Sequence, residues 1–205
     1  MTNNLPSLLV ALADHAAIVK INGRATFTTS VPFKRLVTEL RQHGFESFVL
    51  DLSECVTMDS TFLGVLAGTA LKLSEHSAPR QNGGQRGELA STDHLSLLNP
   101  NERVSDLLDN LGVSNLFRTV HCATQTPAGP YQSAPDDVHP TPEELSRTCL
   151  EAHRLLMDLN PRNIPKFKDV TQFLAEDLKK LSAEAKTAPA GQEQPVEACV
   201  SDRKA

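Results

Sequence analysis

The sequence is poor in aromatic residues. Tryptophan is absent, tyrosine occurs once, and aromatics make up 4% of 205 residues. A platform that stacks bases of single-stranded nucleic acid needs such rings at intervals, so that role is disfavoured. Basic charge is also short: 20 Lys and Arg against 25 Asp and Glu leave a formal charge of -5, with no general positive field for phosphate backbones or anionic lipid. No apolar run approaches the ~18 residues that span a bilayer, and the start MTNNLPSLLVALADH lacks the basic opening of a secretory signal. The expectation is a cytoplasmic protein with no membrane and no nucleic-acid partner.

The four cysteines, Cys55, Cys122, Cys149 and Cys199, form no C-x-x-C pair and no zinc-like cluster with histidine, so no metal is expected. They read as reduced thiols, with Cys55 and Cys149 buried. His121-Cys122 is an isolated pair without two further ligands in a pattern. "NGGQRG" lacks the lysine and hydroxyl of a phosphate-binding loop, and no cofactor is implied.

What is present is a change of composition near Ala123. Residues 5–122 read as one domain. Residues 123–140 are a Pro/Ser-rich linker, able to bury too little to offset the entropy of ordering. Residues 141–185 read as a helical hairpin and 186–205 as a disordered tail. In the first part, SLLVAL and AAIVKI flank Ala13-Asp14-His15 as two strands around a tight turn. Phe33, Leu36, Val37 and Leu40 recur at helical spacing, and Gly44 closes that helix. Ser47 to Leu52 has the composition of a buried strand, and Thr61 to Leu73 that of a central helix. APRQNGGQRG is a loop and ELASTDHLSLLN a weaker strand. Val104, Leu107, Leu108 and Leu111 mark a further helix, closed by Gly112. Strand and helix signals thus alternate from 45 to 112, which implies the α/β class, a sheet with helices packed on it.

At the junction of the central strand and helix stands Met58-Asp59-Ser60-Thr61, an acid and two hydroxyls between two apolar runs. An Asp or Ser there can cap the helix, worth about 1 kcal/mol. It can also accept a modification: a phosphate in the first turn meets unsatisfied backbone N–H groups and brings about -1.5 to -2 charges to the surface. A nucleophile elbow is excluded, because Met58 and Phe62 occupy the positions where its strained turn requires glycine.

The strand "FVLDLS", the "MDST-LGVL" turn into a helix, the early "VKINGRATF" and the closing "LLNPNERVSDLLDNLGVSNLF" resemble the STAS domain of bacterial anti-sigma-factor antagonists, over roughly Leu8 to Val120. The resemblance implies a STAS-like mixed β-sheet with packed helices and a non-enzymatic regulator. Its partner would be an anti-sigma factor that is also a serine kinase of the histidine-kinase-like ATPase type, bound when Ser60 is unphosphorylated and released when it is phosphorylated. Ser60 would be the phospho-acceptor, with Thr61 second, and Asp59, Ser60, Thr61 and Phe62 would meet the partner. The chain departs from the family pattern at Phe62, where glycine is common. A ring one residue into the surface turn is expected to change which partner fits.

Beyond the resemblance, Thr141-Pro142-Glu143-Glu144 starts a helix with a capping box. Leu145, Cys149, Ala152, Leu155, Leu156 and Leu159 line one face, "NPRNIP" breaks it, and a second striped helix runs from Phe167 through Leu181. So small a hairpin needs a companion for its apolar stripe. The alternatives are its own domain, a second copy in a homo-oligomer, or another protein. In the last two cases the chain would be a constitutive scaffold in a signalling assembly.

Overall fold

The computed structural model describes residues 7–13, 16–77, 92–122, 130–134 and 139–187. A seven-stranded sheet is built from β1 (Ser7–Ala13), β2 (Ala16–Ala25), β3 (Ser47–Asp51), β4 (Cys55–Met58), β5 (Thr92–Leu98), β6 (Phe117–Val120) and β7 (Gln132–Ser133). The strand order is β6-β5-β3-β2-β1-β7, with β4 pairing the far end of β2. β1 is antiparallel to both β2 and β7, whereas β2, β3, β5 and β6 run parallel to one another.

Parallel neighbours need crossovers, and helices supply them: α1 (Phe27–Gln42), α2 (Ser60–Ser77) and α3 (Glu102–Leu111). The expected mixed sheet with packed helices is present. Ala17, Val19, Ile21, Phe48, Leu50, Leu95 and Leu97 from the strands meet Phe33, Leu63, Leu66 and Leu108 from the helices in one core. Asn101 shows why the closing motif matters: its side chain accepts from Val104 N (3.0 Å) as the cap of α3 and donates to Cys55 O (2.6 Å), joining α3 to β4.

The structure corrects several boundaries. α1 starts at Phe27, six residues before Phe33, and carries Pro32 inside it. Proline normally argues for a helix start, but here Thr29 Oγ1 accepts from Thr26 N (2.9 Å) and an Asp59 carboxylate oxygen accepts from Phe27 N (2.7 Å). The start is set jointly by the local Thr26–Thr29 capping box and by the tertiary contact to Asp59. The segment assigned to the linker contributes β7, which pairs with Val10 and Leu9 of β1. Tyr131 beside it donates its hydroxyl to the buried Asp51 (3.3 Å). The hairpin helices are α4 (Pro142–Leu159) and α5 (Ile164–Thr187), and α5 begins three residues before Phe167. The turn at Asp14-His15, the loop 78–87 and residues 188–205 of the tail lie outside the described residues.

The capping box of α4 forms as its sequence requires: Thr141 N donates to Glu144 (3.0 Å) and Glu144 N to Thr141 Oγ1 (3.2 Å). Of the three companions for the apolar stripe, the structure supplies the first. α4 packs across α2 and α1, and α5 packs on α4. Asn163, in the 3-10 turn Pro161–Asn163, is fully buried and donates to the carbonyls of Leu111 and Leu156 (both 2.9 Å), fastening the hairpin to the end of α3.

Candidate functional site

The Met58-Asp59-Ser60-Thr61 junction lies where β4 ends and α2 begins. Asp59 occupies the capping position. One carboxylate oxygen accepts from Phe62 N (2.8 Å) and the other from Phe27 N (2.7 Å), while its own N–H donates to Ala25 O (2.9 Å). A single side chain therefore holds the first turns of two helices. The capping alternative for this residue is realised, and both of its oxygens are occupied by backbone.

Ser60 opens α2 and is partly exposed. Its Oγ lies 2.9 Å from His153 Nε2, a residue 93 positions later on α4. His153 is buried, with the Phe167 ring of α5 tilted against it at 4.7 Å between centroids. Burial pushes its pKa below the ordinary histidine value, opposed by the Cys149 carbonyl one turn back and by the negative charge of Asp59. Nδ1 is buried without a partner of good geometry. A proton on Nδ1, on the side of that carbonyl, makes Nε2 an acceptor and the serine hydroxyl its donor.

Thr61 is buried and donates to Cys149 Sγ (3.7 Å). Cys149 is half-buried rather than fully so, and burial raises its pKa, as does Asp59, against the lowering by Thr61. Cys55 is buried and its pKa is likewise raised by burial, so both sulfurs are thiols at neutral pH.

Phe62 is the clear correction. Expected at the partner surface, it is fully buried and its ring lies 5.1 Å from Phe33, tilted at 45°. The helical step of 100° turns it away from Ser60 and into the seam between α1 and α2. It fills the core and does not face a partner.

Sequence reasoning missed His153. Its signal was weak but present: it follows Cys149 by four residues and so falls on the edge of the α4 stripe. A groove of about 310 Å³ between α1, α2 and α4, bordered by Lys34, Val37, Gly68, Lys72 and Leu155, does not include Ser60 or His153. Among the described residues no group of His, Cys, Asp and Glu is arranged to hold a metal, and no helix is long and apolar enough to cross a membrane.

No family model matches the sequence, and no curated protein matches it. The chain is similar in structure to anti-sigma factor antagonists. A candidate antagonist from Thermotoga maritima is 19% identical, aligned over 56% of this chain and 85% of its own, with a TM-score of 0.44. SpoIIAA in its unphosphorylated form is 12% identical over 56% of this chain and 88% of its own (0.44). The antagonist from Mycobacterium paratuberculosis is 14% identical over 58% and 87% (0.43). At this level of similarity to the antagonists, function has to be argued from the residues of this chain.

Proposed function

We propose that the protein is a non-enzymatic, cytoplasmic regulator of the anti-sigma factor antagonist kind, switched by phosphorylation of Ser60. Its partner on this reading is an anti-sigma factor with serine kinase activity of the histidine-kinase-like ATPase type. The observation that carries it is the position of Ser60. It is the first residue of α2, next to Asp59, which binds backbone only. A phosphate there meets the positive end of α2, which favours it locally, while the surface gains about -1.5 to -2 charges. A like-charge contact at a partner interface costs several kcal/mol, and about 3 kcal/mol is already a hundredfold in affinity.

Thr61 is the poorer acceptor, since it is buried and its hydroxyl is directed at Cys149. Mass spectrometry of the protein incubated with candidate kinases and ATP tests the reading. Modification is expected at Ser60, with Ser60→Ala binding the kinase and Ser60→Asp binding it at least about tenfold less. Equal binding by the two variants, or modification elsewhere, overturns it.

A constitutive scaffold is the second reading, favoured by Val170 and Phe173 on α5. They are exposed, Phe173 by 66%, and stand one turn apart. Under it, Phe173→Glu abolishes assembly, whether with a second copy or another protein, while Ser60→Ala leaves it intact.

A further inference from the structure

Ser60 is only partly exposed, and its hydroxyl is turned into α4, where it meets His153. The contact has two parts of different character. One turn into α2 the two helices meet closely, with only the Ala152 methyl at the contact: a Cβ built on Gly64 would lie 2.7 Å from both the Cβ and the carbonyl oxygen of Ala152. At the N-terminal end of α2 the contact is polar, with Ser60 on His153 and Thr61 on Cys149. Around the edge, Lys34 meets Glu151 (2.9 Å) and Arg35 meets Glu144, both pairs half-exposed. Exposed pairs of this kind contribute little net stability, and the unpartnered His153 Nδ1 is a cost.

We propose that the α4–α5 hairpin is an intramolecular cap on the Ser60 face. Docked, it excludes a protein partner; opened, it releases a surface that fits a partner helix bearing a small residue opposite Gly64 and acidic residues opposite Lys34 and Arg35. Ala152, Glu151 and Glu144 occupy those places in the closed form. This inference rests on Ser60 being the modified residue, and it adds that docking of the hairpin and a phosphate on Ser60 exclude one another.

The exclusion is steric before it is electrostatic. An Oγ to Nε2 distance of 2.9 Å has no room for a phosphorus and three oxygens. Making that room requires α4 to move away from the start of α2, which also breaks the close packing of Ala152 on Gly64. The added charge would also lie beside the Asp59 carboxylate, in a partly buried site. The hairpin must therefore leave for the phosphate to be hydrated.

Cys149 reports the opening without any kinase, because it sits under the contact with Thr61, while Cys55 is in the core. In the full chain carrying Cys122→Ser and Cys199→Ser, labelling by a maleimide is followed at both remaining thiols, with Ser60 either unmodified or replaced by genetically encoded phosphoserine. Phosphoserine is expected to speed labelling of Cys149 by about tenfold or more and leave Cys55 unchanged. Ala152→Arg, which cannot fit against Gly64, is expected to do the same without phosphate. Unchanged or slower labelling of Cys149 with phosphoserine overturns the proposal; acceleration of Cys55 in step with Cys149 shows global unfolding and overturns it too. Because no kinase is used, this result can fail while Ser60 is still the modified residue, and can succeed where kinases leave Ser60 untouched.

Discussion

Gly64 of α2 and Ala152 of α4 touch backbone to backbone: a methyl group on Gly64 would meet the Ala152 carbonyl oxygen at 2.7 Å. The obstacle is the Ala152 main chain and its β-carbon, neither of which can rotate away. Gly64→Ala gains roughly 1 kcal/mol of helix propensity but must push the helices apart, and overpacking costs about 1–3 kcal/mol. The expected net result is loosened docking of the hairpin, seen as faster hydrogen exchange in α4 with the sheet unaffected. Gly68→Ala is the control, since its methyl would meet only the mobile end of Leu155 at 3.1 Å. It should be close to neutral.

Phe62→Ala removes a fully buried ring packed on Phe33. A loss of about 3–5 kcal/mol is expected, measured by urea unfolding. A loss under about 1 kcal/mol would place the ring at a surface after all.

His153 makes hairpin docking pH-dependent. Its pKa in the docked form is below the ordinary value, so the opened form binds the proton more readily. The stabilisation is fully present above the ordinary histidine pKa of about 6.5 and is lost as pH falls below it. The groups facing the ring are Ser60 and Asp59 at the start of α2, Cys149 on α4 and Phe167 on α5, and of these the Cys149 carbonyl and Asp59 oppose the effect. Cys149 labelling, corrected for thiolate fraction, should accelerate between pH 7 and 5 in the native chain (~1 proton taken up) and be flat in His153→Gln.

Asn163, fully buried, ties the hairpin turn to α3 through a hydrogen bond to the Leu111 carbonyl and to α4 through one to the Leu156 carbonyl. Asn163→Ala removes both bonds, while Asn160 still donates to each of the two carbonyls, and should cost about 0.5–1.5 kcal/mol in thermal or urea unfolding. Asn163→Asp should cost more at neutral pH than Asn163→Ala, because a carboxylate would face the same two carbonyl oxygens.

Local pattern made much of this architecture legible. β3 and α2 follow from their apolar runs, α3 from Val104, Leu108 and Leu111 with Gly112 at φ 68°, and α4 from the Thr141 capping box. Each of these signals is complete within a few residues, because hydrogen bonding in a first turn and the period of a buried face are local properties. The start of α1 was only partly legible: Thr26 and Thr29 form a local capping box, but Pro32 obscures it and the second contact comes from a carboxylate 32 residues further along the chain.

The Asp59-Ser60-Thr61 junction shows where sequence alone stops. By itself the sequence determined that an acid and two hydroxyls stand at a strand-to-helix turn, and that two striped helices follow needing an apolar companion. Only the tertiary structure decided that the companion is the face bearing Ser60, that His153 meets its hydroxyl, and that Phe62 points inward. The reason is physical. A helix fixes the angles between its own side chains, but which of them meets solvent is settled by whatever packs against it, and here that partner arrives from 93 residues away.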